Sequence, residues 1–177
     1  MSEQAEAGTT RHLVLHDYGM GGVWWWVWAH SAQEIVEACA EVEVVTDADS
    51  VRRAETWGLE EIRLDAPDPG PLSRLRAQRD AQRDQPGFGV LAGRDRVYPG
   101  EREDGEGTLW LMELGPDGRR LRQVEIGPQD EGIRTGPDDW PFNPPHDLHD
   151  PRYAAMEIGA DEFEKAWRRA RREPEGP

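Results

Sequence analysis

The stretch Tyr18-Gly-Met-Gly-Gly-Val-Trp-Trp-Trp-Val-Trp28 decides the fold of this chain. It places Trp24, Trp25, Trp26 and Trp28, four of eight tryptophans, almost side by side. A β-strand sends successive side chains to opposite sides. Trp24, Trp26 and Trp28 therefore share one face, and Val23, Trp25, Val27 and Ala29 share the other. Both faces are large and apolar, the pattern of a strand covered on both sides. Burying one aromatic side chain is worth about 2–3 kcal/mol, so three left together in water would cost several times that. The row is expected to be core. Were it exposed, it would seat a protein partner or stack a small ligand.

Arg11 to Asp17 supplies a partner strand, and Gly19, Gly21 and Gly22 permit a tight hairpin between the two. With the turn set at Gly19 to Gly22, Tyr18 pairs with Val23, Leu15 with Trp26 and Leu13 with Trp28. A slip of one residue would turn every side chain to the other face. Downstream, Ser31 and Glu34 have the spacing of a capping box. Ala32, Ile35, Val36 and Cys39 follow as one helical stripe. Glu41 to Thr46 then reads as a strand, which suggests a βαβ crossover.

The weaker signals continue outward. A short helix is expected near Val51 to Trp57, and a strand within Leu59 to Asp65. A charged helix with few apolar residues, Pro71 to Asp84, is expected to lie on the surface. Phe88 to Ala92 is a candidate strand, and Tyr98 to Gly107 a loop. Thr108 to Leu114 and Arg119 to Ile126 flank Gly115-Pro-Asp-Gly118, a hairpin turn. Apolar parity changes after Leu121, which predicts a bulge. Gly127 to Pro151 reads as a long packed loop. Phe163, Ala166, Trp167 and Ala170 form the inward stripe of a last helix, 160–172, with acids leading and arginines trailing.

These signals predict an α+β fold: one mixed, mostly antiparallel sheet with the tryptophan hairpin at its centre, packed by helices 32–40 and 160–172. The length of 177 residues suits one domain. It is placed at residues 11–172, between a flexible lead (1–10) and a fraying tail (173–177). The balance of 36 acidic against 21 basic residues gives a net charge of -15. That charge repels phosphate backbones and argues against nucleic acid as a partner. It favours docking onto a basic protein. No apolar run approaches the ~20 residues of a membrane helix, and the acidic first ten residues do not resemble a secretory signal. Cytoplasm is the expected location. Cys39 is the single cysteine and sits on an apolar stripe, where a thiol resists ionisation.

Candidate chemistry is sparse. His146-Asp147-Leu148-His149-Asp150 is the one segment resembling a metal or acid–base site, with His146, His149 and Asp150 as candidate ligands. Tyr18, Trp24, Trp26, Trp28 and Trp140 are the candidate binding aromatics. Nucleophile-elbow, P-loop, H-E-x-x-H and C-x-x-C signatures are all missing, so no catalytic residue and no cofactor is assigned. The leading expectation is a non-enzymatic acidic binding or regulatory protein of bacterial type, in the manner of an immunity protein occupying a basic partner. The alternatives are an enzyme built on the His146/His149 loop and a small-ligand sensor with a tryptophan-lined pocket.

Overall fold

The tryptophan strand forms the hairpin that its alternation predicts. The computed structural model describes residues 8–18, 21–103, 105 and 107–172. Among them are five helices and two mixed sheets, an α+β fold. The chain divides into two compact units, Met1–Asp84 and Gln85–Pro177.

In the first unit, β1 (Thr10–Asp17) and β2 (Gly22–Ala29) are antiparallel. The pairs are Leu13 with Trp26, Leu15 with Trp24, and Asp17 with Gly22. The ladder is thus offset by two residues from the expected one. The turn begins at Tyr18, whose amide donates to the Gly21 carbonyl at 3.1 Å. Two residues is one full pleat, so every side chain keeps its expected face.

Helix α1 (Ala32–Ala38) follows, then β3 (Glu43–Val45), α2 (Ala48–Ala54) and β4 (Glu61–Arg63). The sheet order is β3-β1-β2-β4, with the hairpin in the middle. β2 and β3 are both antiparallel to β1, hence parallel to each other, but β1 lies between them. The parallel neighbour of β2 is instead β4. Ser31 caps α1 by accepting from the Glu34 amide at 3.1 Å, while the Glu34 carboxylate accepts from the His30 amide at 2.7 Å.

The face carrying Val14, Trp25 and Val27 packs on Ile35, Cys39, Leu72 and Leu75. The opposite face, with Leu13 and Trp26, packs on Ala54, Val51 and Leu59. Both faces of this sheet are covered. The charged helix α3 (Ser73–Arg83) is not superficial as expected, because Leu75, Arg79 and Gln82 form a buried stripe. Arg79 is fully buried and donates to the carbonyls of Val36 (2.9 Å) and Cys39 (3.0 Å), closing the end of α1. Burial raises the Cys39 thiol to about 11, in keeping with its inert role.

The second unit holds a separate sheet, so the expectation of one sheet packed by both helices is corrected. Its strands are β5 (Gly100–Arg102), β6 (Leu109–Leu114), β7 (Arg120–Ile126), β8 (Gly132–Thr135) and β9 (Arg171–Arg172), hydrogen-bonded in that order. Two of them lie where loops were expected: β5 within 98–107 and β8 within 127–151. Each carries at most one large apolar residue, too little for an alternating pattern. The expected strand at 88–92 is instead a chain of turns, with the Phe88, Val90 and Ala92 amides each bonded three residues back. The expected bulge is present. Glu113 pairs with Arg122 and Leu114 with Arg120, leaving Leu121 without a ladder partner.

Helix α5 (Ala160–Arg169) packs Phe163, with Ala166 and Trp167, on the Leu111 and Val124 face of this sheet. Helix α4 (Pro151–Ala155) and Leu91, Val97 and Leu148 cover the opposite face only at its Met112 and Leu114 end.

Candidate ligand site

That half-covered face holds a cavity of about 500 Å³, lined by Glu101, Glu103, Trp110, Met112, Arg120, Gln123, Pro144 and His146. Strand parity explains the lining. Leu109 and Leu111 belong to the face under α5, so Trp110 and Met112 point the other way. Directly opposite Trp110 stand Glu101 on β5 and Glu125 on β7. Opposed residues share a face, so the indole is flanked by carboxylates on both neighbouring strands.

The remaining wall comes from the segment expected to be a packed loop. Asn143 ties it to the sheet: its Nδ2 donates to the Arg120 carbonyl at 2.9 Å, and its Oδ1 accepts from the Arg120 amide at 3.2 Å. The Arg119 guanidinium donates to the Asn143 carbonyl at 2.7 Å. His146 is fixed by its amide, which donates to the Gly118 carbonyl at 2.8 Å.

Arg120 crosses the end of the cavity. It donates to Gln123 Oε1 (2.8 Å), Asn143 Oδ1 (3.4 Å) and the Phe142 carbonyl (3.2 Å), and lies 4.4 Å over the Trp140 ring. Burial pulls its pKa below the ordinary arginine value. Its donors thus meet neutral acceptors. By contrast, neither Glu101 nor Glu103 has a side-chain hydrogen bond or close ion pair among the described residues. Glu101 acts only at longer range, on Arg152 and Tyr153. His146 shares a 2.9 Å hydrogen bond with the Tyr153 hydroxyl through Nδ1. Burial first, then the charges of Arg120 and Arg152, lower its pKa to about 4. It is neutral at neutral pH.

The candidate metal ligands do not converge. Asp150 caps α4, accepting from the Arg152 amide at 2.9 Å. His149 lies 3.9 Å from an Asp147 oxygen and against Phe88. Among the described residues no three His, Cys, Asp or Glu side chains are placed to hold a metal ion.

Of the candidate aromatics, Trp24 and Trp26 share one core cluster. Trp26 is buried, with the Arg11 guanidinium 4.2 Å above its ring. Trp28 donates to Glu61 at 3.0 Å, and Trp24 meets Trp57 edge-on. Tyr18 is exposed at the hairpin turn. Trp140 donates to Thr135 Oγ1 at 3.1 Å behind Arg120, so it supports the cavity from outside its lining. Trp110, Glu101, Arg120 and Gln123 were not singled out from the sequence. The available signal was Trp110 itself, an aromatic on the strand face opposite the Leu109/Leu111 stripe.

No helix among the described residues is long and apolar enough to cross a membrane. Compared with protein-family models, curated proteins and solved structures, the chain finds no match.

Proposed function

We propose that this chain is a non-enzymatic binding protein that engages a basic partner protein, with the cavity on the second sheet as the seat of contact. One observation carries the reading: carboxylates with no hydrogen bond or close ion pair among the described residues flank a partly exposed indole in a chain of net charge -15. Long-range attraction would steer a basic surface toward such a protein. Beside the cavity Phe142 is 60% exposed while its own carbonyl is held by Arg120. Outward aromatics, phenylalanine included, are enriched at protein interfaces. The cavity lining offers charge and stacking and contains no serine, cysteine or lysine nucleophile.

Fluorescence polarisation with labelled arginine- and lysine-rich peptides, against glutamate-rich controls, tests the reading. Basic peptides are expected to bind and to weaken as the screening length falls from ~10 Å at 0.1 M salt toward ~3 Å at 1 M. Absence of binding at low salt, or equal binding of the acidic controls, would reject it.

A further inference from the structure

We infer that the cavity is a receptor for one organic cation, an alkylguanidinium or alkylammonium group, laid over Trp110 between Glu101 and Glu103. This deepens the basic-partner reading and names the group that such a partner would insert.

The argument comes from the rest of the molecule. Twice among the described residues a guanidinium lies on an aromatic ring and is flanked by two carboxylates. Arg11 lies 4.2 Å over Trp26 and pairs with Glu55 (2.5 Å) and Glu61 (3.0 Å). Arg122 lies 5.0 Å from both the Phe163 and Trp167 rings and pairs with Glu113 and Glu164. Trp110 likewise stands among carboxylates, with Glu101 and Glu125 opposite it on the neighbouring strands and Glu103 on the cavity wall. Among the described residues no cation lies over its ring.

Carboxylates alone would not make a site; the indole and the open recess beside it do. Cation–π attraction strengthens as the cation is desolvated, and about 500 Å³ holds a side-chain-sized cation with its alkyl stem on Met112 and Pro144. The lining carries two carboxylates, Glu101 and Glu103, against one cation, Arg120. Arg120 keeps its charge, since its three acceptors and one ring are neutral, but its backbone pairs with Leu114, four positions along β6 from Trp110; His146, neutral at pH 7, adds no further positive charge.

The test uses the full chain and three probes: n-butylguanidinium, its neutral near-isostere n-butylurea, and a short arginine-containing peptide. Calorimetry measures affinity. The indole N–H signal of Trp110, assigned through Trp110→Phe, reports location in a ¹⁵N-correlated spectrum. Butylguanidinium is expected to bind about tenfold or more tightly than butylurea and to shift the Trp110 signal. The paired substitution Glu101→Gln with Glu103→Gln is expected to weaken it about tenfold, with unchanged thermal melting. Trp110→Phe keeps the packing and is expected to weaken it several-fold.

Equal binding of butylurea, an unmoved Trp110 signal at saturation, or indifference to the paired substitution would each overturn the inference. A peptide tighter than the free ion identifies a protein side chain as the natural occupant. A free ion at least as tight identifies a diffusible ligand, and would support the cavity while removing the protein-partner reading. Basic peptides that bind wild type and the paired variant equally would leave that reading standing and remove the cavity from it.

Discussion

Replacing Arg79 by alanine should destabilise the first unit by about 4 kcal/mol. The side chain is fully buried, and its two Nη atoms reach Gln82 Oε1 (2.8 Å), the Val36 carbonyl (2.9 Å) and the Cys39 carbonyl (3.0 Å). The two carbonyls lie at the end of α1, where the helix dipole favours a positive charge. Hydrogen bonds from a charged donor contribute about 1.5–3 kcal/mol each, and a buried carbonyl left without one costs about 1–3 kcal/mol. Three such bonds, partly relaxed after truncation, together with the volume lost beneath α1, give the stated figure. Arg79→Met retains most of the volume and removes the cost of desolvating a charge, so its loss should be nearer 2 kcal/mol. Urea denaturation followed by tryptophan fluorescence suits the measurement, since Trp24, Trp25, Trp26, Trp28 and Trp57 all lie in this unit. Hydrogen exchange at the Cys39 and Ala40 amides, which donate to Ile35 and Leu75, should quicken in parallel. A loss below 1 kcal/mol for Arg79→Ala, or a methionine variant weaker than the alanine one, would refute the assignment of Arg79 as the closing residue of α1.

The other expectations concern the cavity wall and the core. His146 has a pKa near 4 when folded and about 6.5 when unfolded. Above pH 6.5 it is neutral in both states and contributes no pH dependence. Below that the unfolded chain takes up the proton first, so stability falls until about pH 4, by up to about 3 kcal/mol. Melts of wild type and His146→Gln should diverge in that window, and parallel curves would contradict the depressed pKa. Gly118 sits at φ +80°, and a Cβ there would lie 2.1 Å from the His146 carbonyl oxygen. Gly118→Ala should therefore cost at least about 2 kcal/mol and disturb the Trp110 indole signal; an unperturbed spectrum and melt would count against that contact. Trp25→Ala, in the core, should cost about 3–5 kcal/mol, whereas Trp57→Ala, at a site 46% exposed, should cost less than about 1 kcal/mol. Equal losses in denaturant would contradict the placement of the two.

What could be read from the sequence was what short-range pattern determines. Alternation in β2 fixed the faces of Trp24, Trp25 and Trp26 and survived a two-residue error in register, because parity is unchanged by a full pleat. The register depends on where the turn closes, and the glycines of that turn allow more than one solution. α3 was misplaced for a different reason. Arg79 is charged, and the carbonyls at the end of α1 help make its burial tolerable. Those acceptors are some forty residues away in sequence. β5 and β8 each offered at most one apolar residue to count, and they exist because β6 and β7 present ladders for them. The cavity was illegible for the same reason: its lining comes from three strands and a loop, with no fixed spacing among Glu101, Trp110, Gln123 and His146.

The two sheets differ in how they resolve the same physical demand. A sheet face bearing large apolar side chains must be covered, or it exposes surface that water disfavours. The first sheet meets that demand on both sides, with α1 and α3 on one and α2 on the other. The second meets it under α5 and at its Met112/Leu114 end. Around Trp110 it places carboxylates and a pinned loop, leaving the indole partly open. An aromatic in that position contributes little to folding, and Glu101 and Glu103 beside it have no side-chain hydrogen bond or close ion pair among the described residues. A cation bound there stabilises the folded chain by mass action. The expected mark is therefore thermal: n-butylguanidinium at saturating concentration should raise the melting temperature of the wild type. It should leave that of the Glu101→Gln, Glu103→Gln variant in place, and an equal rise in both would mean that the ion acts elsewhere on this acidic surface.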